Sequence, residues 1–304
     1  GRRCLPAMSA PIVTGQLILV TGGFYYLRVG EQTIECRARG LFRRQGISPC
    51  VGDRAEAELT AQGKGYLLRI LPRKNELSRP PSANVDRLLL VLAAAEPSPN
   101  LLVADRMLAV AEHKGIDAAV LVTKADLDEA AAEALCALYR GAGYTVQLLG
   151  DHADNAQTLR PLLEGSLCVL CGNSGVGKST LLNALSPALM LPTGEISQKL
   201  GRGRHTTRTT RLFDLCGGQL ADTPGFSTLE TAQLERIRKE ELELCFREFA
   251  PFLGKCRFTG CSHTREKDCA VLAALEAGAI APSRHKSYLS MLEEARALKD
   301  WEAL

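Results

Sequence analysis

The chain has 304 residues, with 37 Lys and Arg against 34 Asp and Glu and a formal net charge of +3. That length holds two or three domains, and the near-balance of charge excludes a histone-like polycation, leaving nucleic-acid contact to local basic patches. Hydrophobic residues at 46% and charged residues at 23% are the proportions of an ordinary globular protein, and the longest apolar runs, such as LLLVLAAA at 88–95, are too short to span a bilayer.

Residues 1–10 carry basic side chains without the apolar run that a secretory signal needs. They are read as a leader, disordered or extraneous to the fold, with Met8 as a candidate natural start. Residues 11–75 read as all-β. GQLILVTGGFYYLRV holds two short strands around Gly22-Gly23, and QTIECRARG, VGDRAEAEL and GYLLRILPR follow with turn signals between them. About five short strands in this span predict a small OB-fold barrel. The basic pairs Arg43-Arg44 and Arg73-Lys74 are candidates for phosphate contact or for plain solvated surface. RKNELSRPPSAN, 73–84, is polar with two prolines and reads as a linker.

From Asp86 the pattern alternates strand and helix. RLLLVLAA is a buried strand, and NLLVADRMLAVAEHKG an amphipathic helix with Asn100 as N-cap and Gly115 past its end. AAVLVT, YTVQLL and LCVLCG are further strands; LDEAAAEALCALYRG, DNAQTLRPLLEG and KSTLLNALS are helices. Such alternation predicts an α/β sheet with parallel strands. RLFDLCGGQLADT reads as a hairpin turning at Gly217-Gly218, and residues 231–250, 269–277 and 283–300 as helices.

GNSGVGKS fits the phosphate-binding pattern G-x-x-x-x-G-K-[ST], with Gly172, Gly177, Lys178 and Ser179 at the fixed places, between a strand and a helix. Its glycines let backbone N–H groups of Asn173, Ser174, Gly175 and Val176 curl around phosphate oxygens, with Thr180 just inside the helix. Lys178 can reach the β- and γ-phosphates and Ser179 can ligate Mg²⁺. Asp222 of DTPGF ends a strand where a carboxylate can hold Mg²⁺ through water, and Gly225 lets a backbone N–H approach the γ-phosphate. GRGRHTTRTTRLF, 201–213, is a basic loop in which Thr206 or Thr207 can close on Mg²⁺ and the γ-phosphate. In TKAD, Thr123, Lys124, Ala125 and Asp126, the carboxylate can accept guanine's ring N–H and exocyclic amine, a donor pair adenine lacks. Lys124 can lay its stem along the base. The competing reading makes Asp126 the N-cap of the helix that follows.

Of eleven cysteines, Cys136, Cys168, Cys171 and Cys245 sit singly in apolar runs and read as buried small hydrophobes in a reducing compartment. The exception is C-x₄-C-x-H-x₅-C: Cys256, Cys261, His263 and Cys269 suit one four-coordinate structural zinc. His113, His152 and His285 have no partners at ligand spacing and read as surface residues.

The order base element, P-loop, switch I, switch II resembles the circularly permuted GTPases. Within them ANVDRLLLV, TKAD, GNSGVGKSTLLNAL, GRGRHTT, DTPGF and CRFTGCSHTREKDCAV resemble the RsgA (YjeQ/YloQ) family of small-subunit biogenesis GTPases, from about residue 12 to 295. The resemblance implies a multidomain α/β protein. Its parts would be an OB-fold domain at 11–75, a circularly permuted P-loop GTPase domain at 76–230 and a helical zinc-binding domain at 231–304. It implies GTP hydrolysis with Mg²⁺ in late maturation of the 30S subunit, stimulated by that subunit. It also implies contacts to 16S rRNA through the OB and zinc domains, and action as a cytoplasmic monomer with no membrane partner. Thr123 stands where the family's base element usually begins with Asn, and LLGDHADN, 148–155, where Ser-Ala usually contacts the guanine oxygen.

Many GTPases orient the attacking water with a glutamine just after D-x-x-G. Here that place is Phe226, which cannot hydrogen-bond water. His205, beside the switch-I threonines, is the catalytic candidate, because an imidazole can accept a hydrogen bond from water.

Overall fold

The structure, a computed structural model, describes residues 10–38, 42, 46–150, 155–185, 210–222 and 235–297. Arg43, Arg44, His152, His205, Thr206, Thr207, Gly225 and Phe226 lie outside the described residues, as does most of the basic loop 201–213. Two compact units divide the chain. One spans residues up to Val85 with 204–213 and 221–224; the other holds 86–203, 214–220 and 225–304.

The first unit is the barrel expected from the sequence. Its strands are β1 (Ile12–Thr21), β2 (Phe24–Val29), β3 (Gln32–Ala38), β4 (Arg54–Leu59) and β5 (Gly65–Ile70). β1 is long enough to pair twice, with β4 through Ile12–Gln16 and with β2 through Gln16–Thr21, its register shifting between Leu17 and Leu19. β3 and β5 pair parallel and β4 and β5 antiparallel, which closes the circuit with no free edge. Alternation sends Leu17, Leu27, Ile34, Cys36, Ala55, Ala57 and Leu67 inward to one core.

The stretch expected as a linker is instead an ordered hairpin, β6 (Glu76–Ser78) with β7 (Pro81–Ala83). Its polar residues replace missing ladder bonds. Asn75 accepts from the Val85 amide (2.8 Å) and donates to the Val85 carbonyl (2.9 Å), and Asn84 donates to the Gly52 carbonyl (3.0 Å). Arg73 is likewise committed: its guanidinium grips buried Asp53 at 2.7 and 2.8 Å.

In the second unit the strands β8 (Arg87–Ala93), β9 (Asp117–Thr123), β10 (Thr145–Leu148) and β11 (Leu167–Cys171) pair parallel in the spatial order β10-β9-β8-β11. Leu88–Ala93 are all buried, the mark of a strand covered on both faces. The crossovers are α1 (Leu101–His113), α2 (Glu129–Gly141) and α3 (Asn155–Leu163). α1 is capped as expected: Asn100 accepts from the Val103 amide at 3.3 Å. α4 (Lys178–Leu185) follows β11. The hairpin of β12 (Thr210–Leu215) and β13 (Gly218–Asp222) turns at Cys216-Gly217 rather than Gly217-Gly218, with φ of 50° and 79°. Both central residues take the left-handed conformation of a tight hairpin turn.

In the C-terminal part the predicted helices at 269–277 and 283–300 form among the described residues, whereas 231–250 departs from its prediction. Among the described residues of 231–250 there is only α5 (Lys239–Leu242) and two 3₁₀ turns, Glu243–Cys245 and Arg247–Phe249. Phe246 is extended between them, φ −113° and ψ 100°, so that its fully buried ring can pack on Phe249 and Tyr288, centroids 5.2 and 5.4 Å away. Packing of three aromatics outweighs helical continuity here. α6 (Ala270–Glu276) and α7 (Pro282–Ala297) follow.

α1 is buried over Val103–Ala111, including Asp105 and Arg106, because α7 packs on it as well as the sheet. Arg284 of α7, 1% exposed, donates to Asp105 (2.7 Å) and to both Glu248 oxygens (2.6 and 3.2 Å). Tyr139 of α2 donates to the same Asp105 oxygen at 3.1 Å. Burial pushes the Asp105 carboxyl up against the pull of Arg284, and the same guanidinium is the hydrogen-bonding partner of buried Glu248. We expect Arg284→Ala to destabilise the protein by about 3–5 kcal/mol, because it orphans buried charge; denaturant unfolding of the full chain measures this.

Candidate nucleotide site and metal centre

The chain winds from β8 to β9 and β10 in one direction, then crosses back to β11 on the other side of β8. Such a reversal opens a crevice beyond the carboxyl ends of the flanking strands. The register sets Cys171 beside Leu90 and Leu90 beside Val120. GNSGVGKS therefore leaves β11 and TKAD leaves β9 on the same edge of one sheet, although TKAD comes first in the chain.

Gly172 turns the chain off β11 with φ 151°, and a Cβ there would lie 2.5 Å from the Val91 carbonyl oxygen. Only glycine permits that approach. A small cavity lies alongside, lined by Val91, Pro99, Asn100, Val103, Gly172 and Val176. Lys178 opens α4 and folds back, its Nζ 2.7 and 2.6 Å from the carbonyls of Gly172 and Asn173. The ammonium thus sits at the loop mouth, beside the first turn of α4. Asn173, Gly177 and Ser179 are partly exposed, Ser174, Gly175 and Thr180 are exposed, and Val176 is buried.

Thr123 is buried, and its hydroxyl donates to the Val176 carbonyl at 2.7 Å, with the Leu92 carbonyl at 3.3 Å. The first residue of TKAD is thereby bonded to the phosphate loop itself. Lys124 takes φ 58° and its Nζ donates to the Glu96 carbonyl. Asp126 is exposed and does not cap α2; Asp128 does, accepting from the Ala131 amide at 2.9 Å. The helix-cap reading of Asp126 is thus excluded, leaving its carboxylate for another partner. Asp222 ends β13, and nothing beyond its backbone is described; Gly225 follows outside the described residues.

The second constellation is Cys256, Cys261, His263 and Cys269, whose ligand atoms all lie within 4.8 Å of one another. Cys256 Sγ is 3.8 Å from Cys269 Sγ, and His263 Nδ1 is 3.7 and 3.3 Å from these two sulfurs. Zinc–sulfur bonds of about 2.3 Å at a tetrahedral angle give a sulfur–sulfur edge of about 3.8 Å. The four residues fit a closed metal site, and they do not fit a disulfide: all ten described cysteines are free thiols. Cys269 also caps α6, accepting from the Leu272 amide at 3.5 Å. Glu266 holds the loop by accepting from the amides of Ser262 (2.9 Å), Thr264 (2.8 Å) and Arg265 (3.0 Å). His285 is not the surface residue expected from the sequence: it is buried, and its Nε2 bonds the His263 carbonyl at 2.8 Å. Its lack of a spacing partner concealed a role that α7 supplies from sixteen residues beyond the last cysteine.

Comparison with known proteins places these motifs in company. Residues 70–232 match the RsgA GTPase family and residues 14–67 the RsgA N-terminal domain. The chain is 43% identical over 289 residues to the small ribosomal subunit biogenesis GTPase RsgA of Caldanaerobacter subterraneus subsp. tengcongensis, covering 93% of this chain and 96% of that protein. It is 44% identical over 285 residues to RsgA of Shouchella clausii, covering 92% and 96%. Among solved structures, YloQ, a circularly permuted GTPase, matches with a TM-score of 0.74 at 34% identity over 97% of this chain and 99% of that one. YjeQ from Thermotoga maritima matches with a TM-score of 0.78 at 31% identity over 95% and 100%.

Gly172→Ala drives a Cβ into the Val91 carbonyl, so the phosphate loop must shift. Nucleotide affinity is expected to fall about tenfold or more, equal to about 1.4 kcal/mol, with the far-ultraviolet circular dichroism unchanged. Titration with a fluorescent guanine nucleotide checks it.

Proposed function

The chain belongs to the RsgA family of circularly permuted GTPases, and from that premise we propose how its residues divide the work of GTP hydrolysis in small-subunit biogenesis. The observation that carries the proposal is the hydrogen bond from Thr123 to Val176 across the carboxyl edge of the sheet. It joins the element read as guanine-selective to the element read as phosphate-binding. Thr123 reaches the loop through a hydroxyl where the family usually has Asn, so in this chain it serves GTP as a brace.

In this reading the backbone of Gly172–Gly177 and the first turn of α4, Lys178, Ser179 and Thr180, hold the phosphates. Lys178 leaves its two loop carbonyls for phosphate oxygens. Ser179 and Asp222, with Thr206 or Thr207, would hold Mg²⁺, which would supply charge neutralisation at the phosphates, and Gly225 would offer its N–H to the γ-phosphate. Lys124 and Ala125 line the base and Asp126 selects guanine. His205 orients the attacking water in the complex with the small subunit.

The metal of Cys256, Cys261, His263 and Cys269 is one zinc with a structural role, which the sulfur spacing supports. The barrel and the zinc part bind 16S rRNA of the 30S subunit late in its maturation. The barrel supports this with Arg37 lying over Phe24 at 4.9 Å and with Tyr66 exposed beside Arg37 on the next strand. Aromatic rings backed by guanidinium are what single-stranded bases stack on. The protein works in the cytoplasm as a monomer, and among the described residues no helix is long and apolar enough to cross a membrane.

Two substitutions test the division of roles. Asp126→Asn exchanges an acceptor for a donor opposite guanine's amine, so GTP should bind more weakly and xanthosine triphosphate more tightly in a competition titration. Unchanged preference sinks the base assignment. His205→Ala should leave nucleotide and subunit binding intact while turnover in the presence of 30S subunits drops at least about a hundredfold; near-wild-type stimulated turnover removes His205 from the mechanism.

A further inference from the structure

The imidazole of His263 has two nitrogens with two different neighbours. Nδ1 faces the sulfurs of Cys269 and Cys256, 3.3 and 3.7 Å away. Nε2 lies 2.9 Å from Oε2 of Glu243. A carboxylate offers lone pairs and no proton, so the short contact requires the hydrogen on Nε2. In the neutral ring the lone pair of Nδ1 is then aimed into the thiol cluster, the state in which histidine binds a metal. The ring has little freedom to do otherwise: its side chain is 3% exposed, and Phe249 and Tyr288 pack against it with centroids 6.1 and 6.3 Å away.

Glu243 belongs to none of the four-ligand loop. It sits on the 3₁₀ turn directly after α5, twenty residues before His263, in the segment through which the chain enters the C-terminal part. We propose that Glu243 is a positioning residue of the metal centre: it fixes the Nε2–H tautomer of His263, aims Nδ1 at the metal and makes it a better donor. This rests on the reading of the four residues as a zinc site. Carboxylate partners of metal-bound histidines act in this way, and losing one typically weakens metal binding about 10–100-fold. A second consequence follows from the geometry. Zinc binding and the order of residues 239–245 are linked, because the same hydrogen bond serves both.

The test uses the full chain. Zinc affinity is measured by competition with a chromophoric chelator for the wild type, Glu243→Ala and Glu243→Gln. Glu243→Ala should bind zinc about 10–100-fold more weakly. Glu243→Gln should fall between, since its carbonyl accepts the same bond without charge. Long-range ¹H–¹⁵N spectra of the zinc-loaded wild type should show His263 protonated at Nε2 and metal-shifted at Nδ1. Hydrogen exchange should quicken at 239–245 when a chelator strips the metal. Wild-type zinc affinity in Glu243→Ala overturns the proposal, and so does a metal-shifted Nε2, which is read on the wild-type protein and so needs no variant to fold. A wild-type chain that takes up no zinc instead overturns the zinc reading itself.

Discussion

Parallel pairing on both sides of β8 is the constraint from which the nucleotide site follows. Parallel strands put their carboxyl ends on one edge, whatever order the chain visits them in. TKAD therefore stands beside a phosphate loop that follows it by roughly fifty residues, and the hydroxyl of Thr123 closes the gap with one bond to Val176. What the permutation changes is the wiring outside the sheet. The strand ending in Asp222 is followed in the chain by the C-terminal helices rather than by another strand of the sheet.

The parts of this protein legible in its sequence are those where chemistry demands a residue type at a fixed spacing. Gly172 and Gly177 must be glycine, Lys178 must follow, and three cysteines with one histidine in fourteen positions mark a site that could hold a metal. The barrel was legible as well, because strict alternation around Leu17, Leu27 and Leu67 has one solution on a closed sheet. Other features left no such trace. Residues 73–84 carry the composition of a linker because Asn75 and Asn84 do with side chains what a hairpin ladder does with backbone. Phe246 interrupts a helical pattern for the sake of an aromatic cluster assembled from α7, which local periodicity does not encode. Asp128 rather than Asp126 caps α2, a choice between two acidic residues that only the turn geometry settles.

The metal centre shows the same division at closer range. Its candidate ligands are local and so could be read, whereas its supports are distant. Glu243 reaches His263 from one side and His285 reaches the His263 carbonyl from another, at separations of 20 and 22 residues. Tyr288 adds a bond to the Ser262 carbonyl at 3.1 Å. The loop is thus held by its own glutamate, Glu266, and by elements on both sides of it in the chain, which makes it a fixed point rather than a pendant knuckle.

Asp105 and Arg284 stand 179 residues apart in the chain. During synthesis the aspartate emerges early, on a helix made after β8 and before β9. Its guanidinium partner arrives only with the last helix. Until then the carboxylate has the Tyr139 hydroxyl of α2 but no cation, and the side of α1 that α7 covers has no partner from that helix. Maturation of the fold waits for the end of the message. For a sheet that carries TKAD and the phosphate loop on one edge, that order leaves the packing of α1 incomplete until nearly the whole chain has been made.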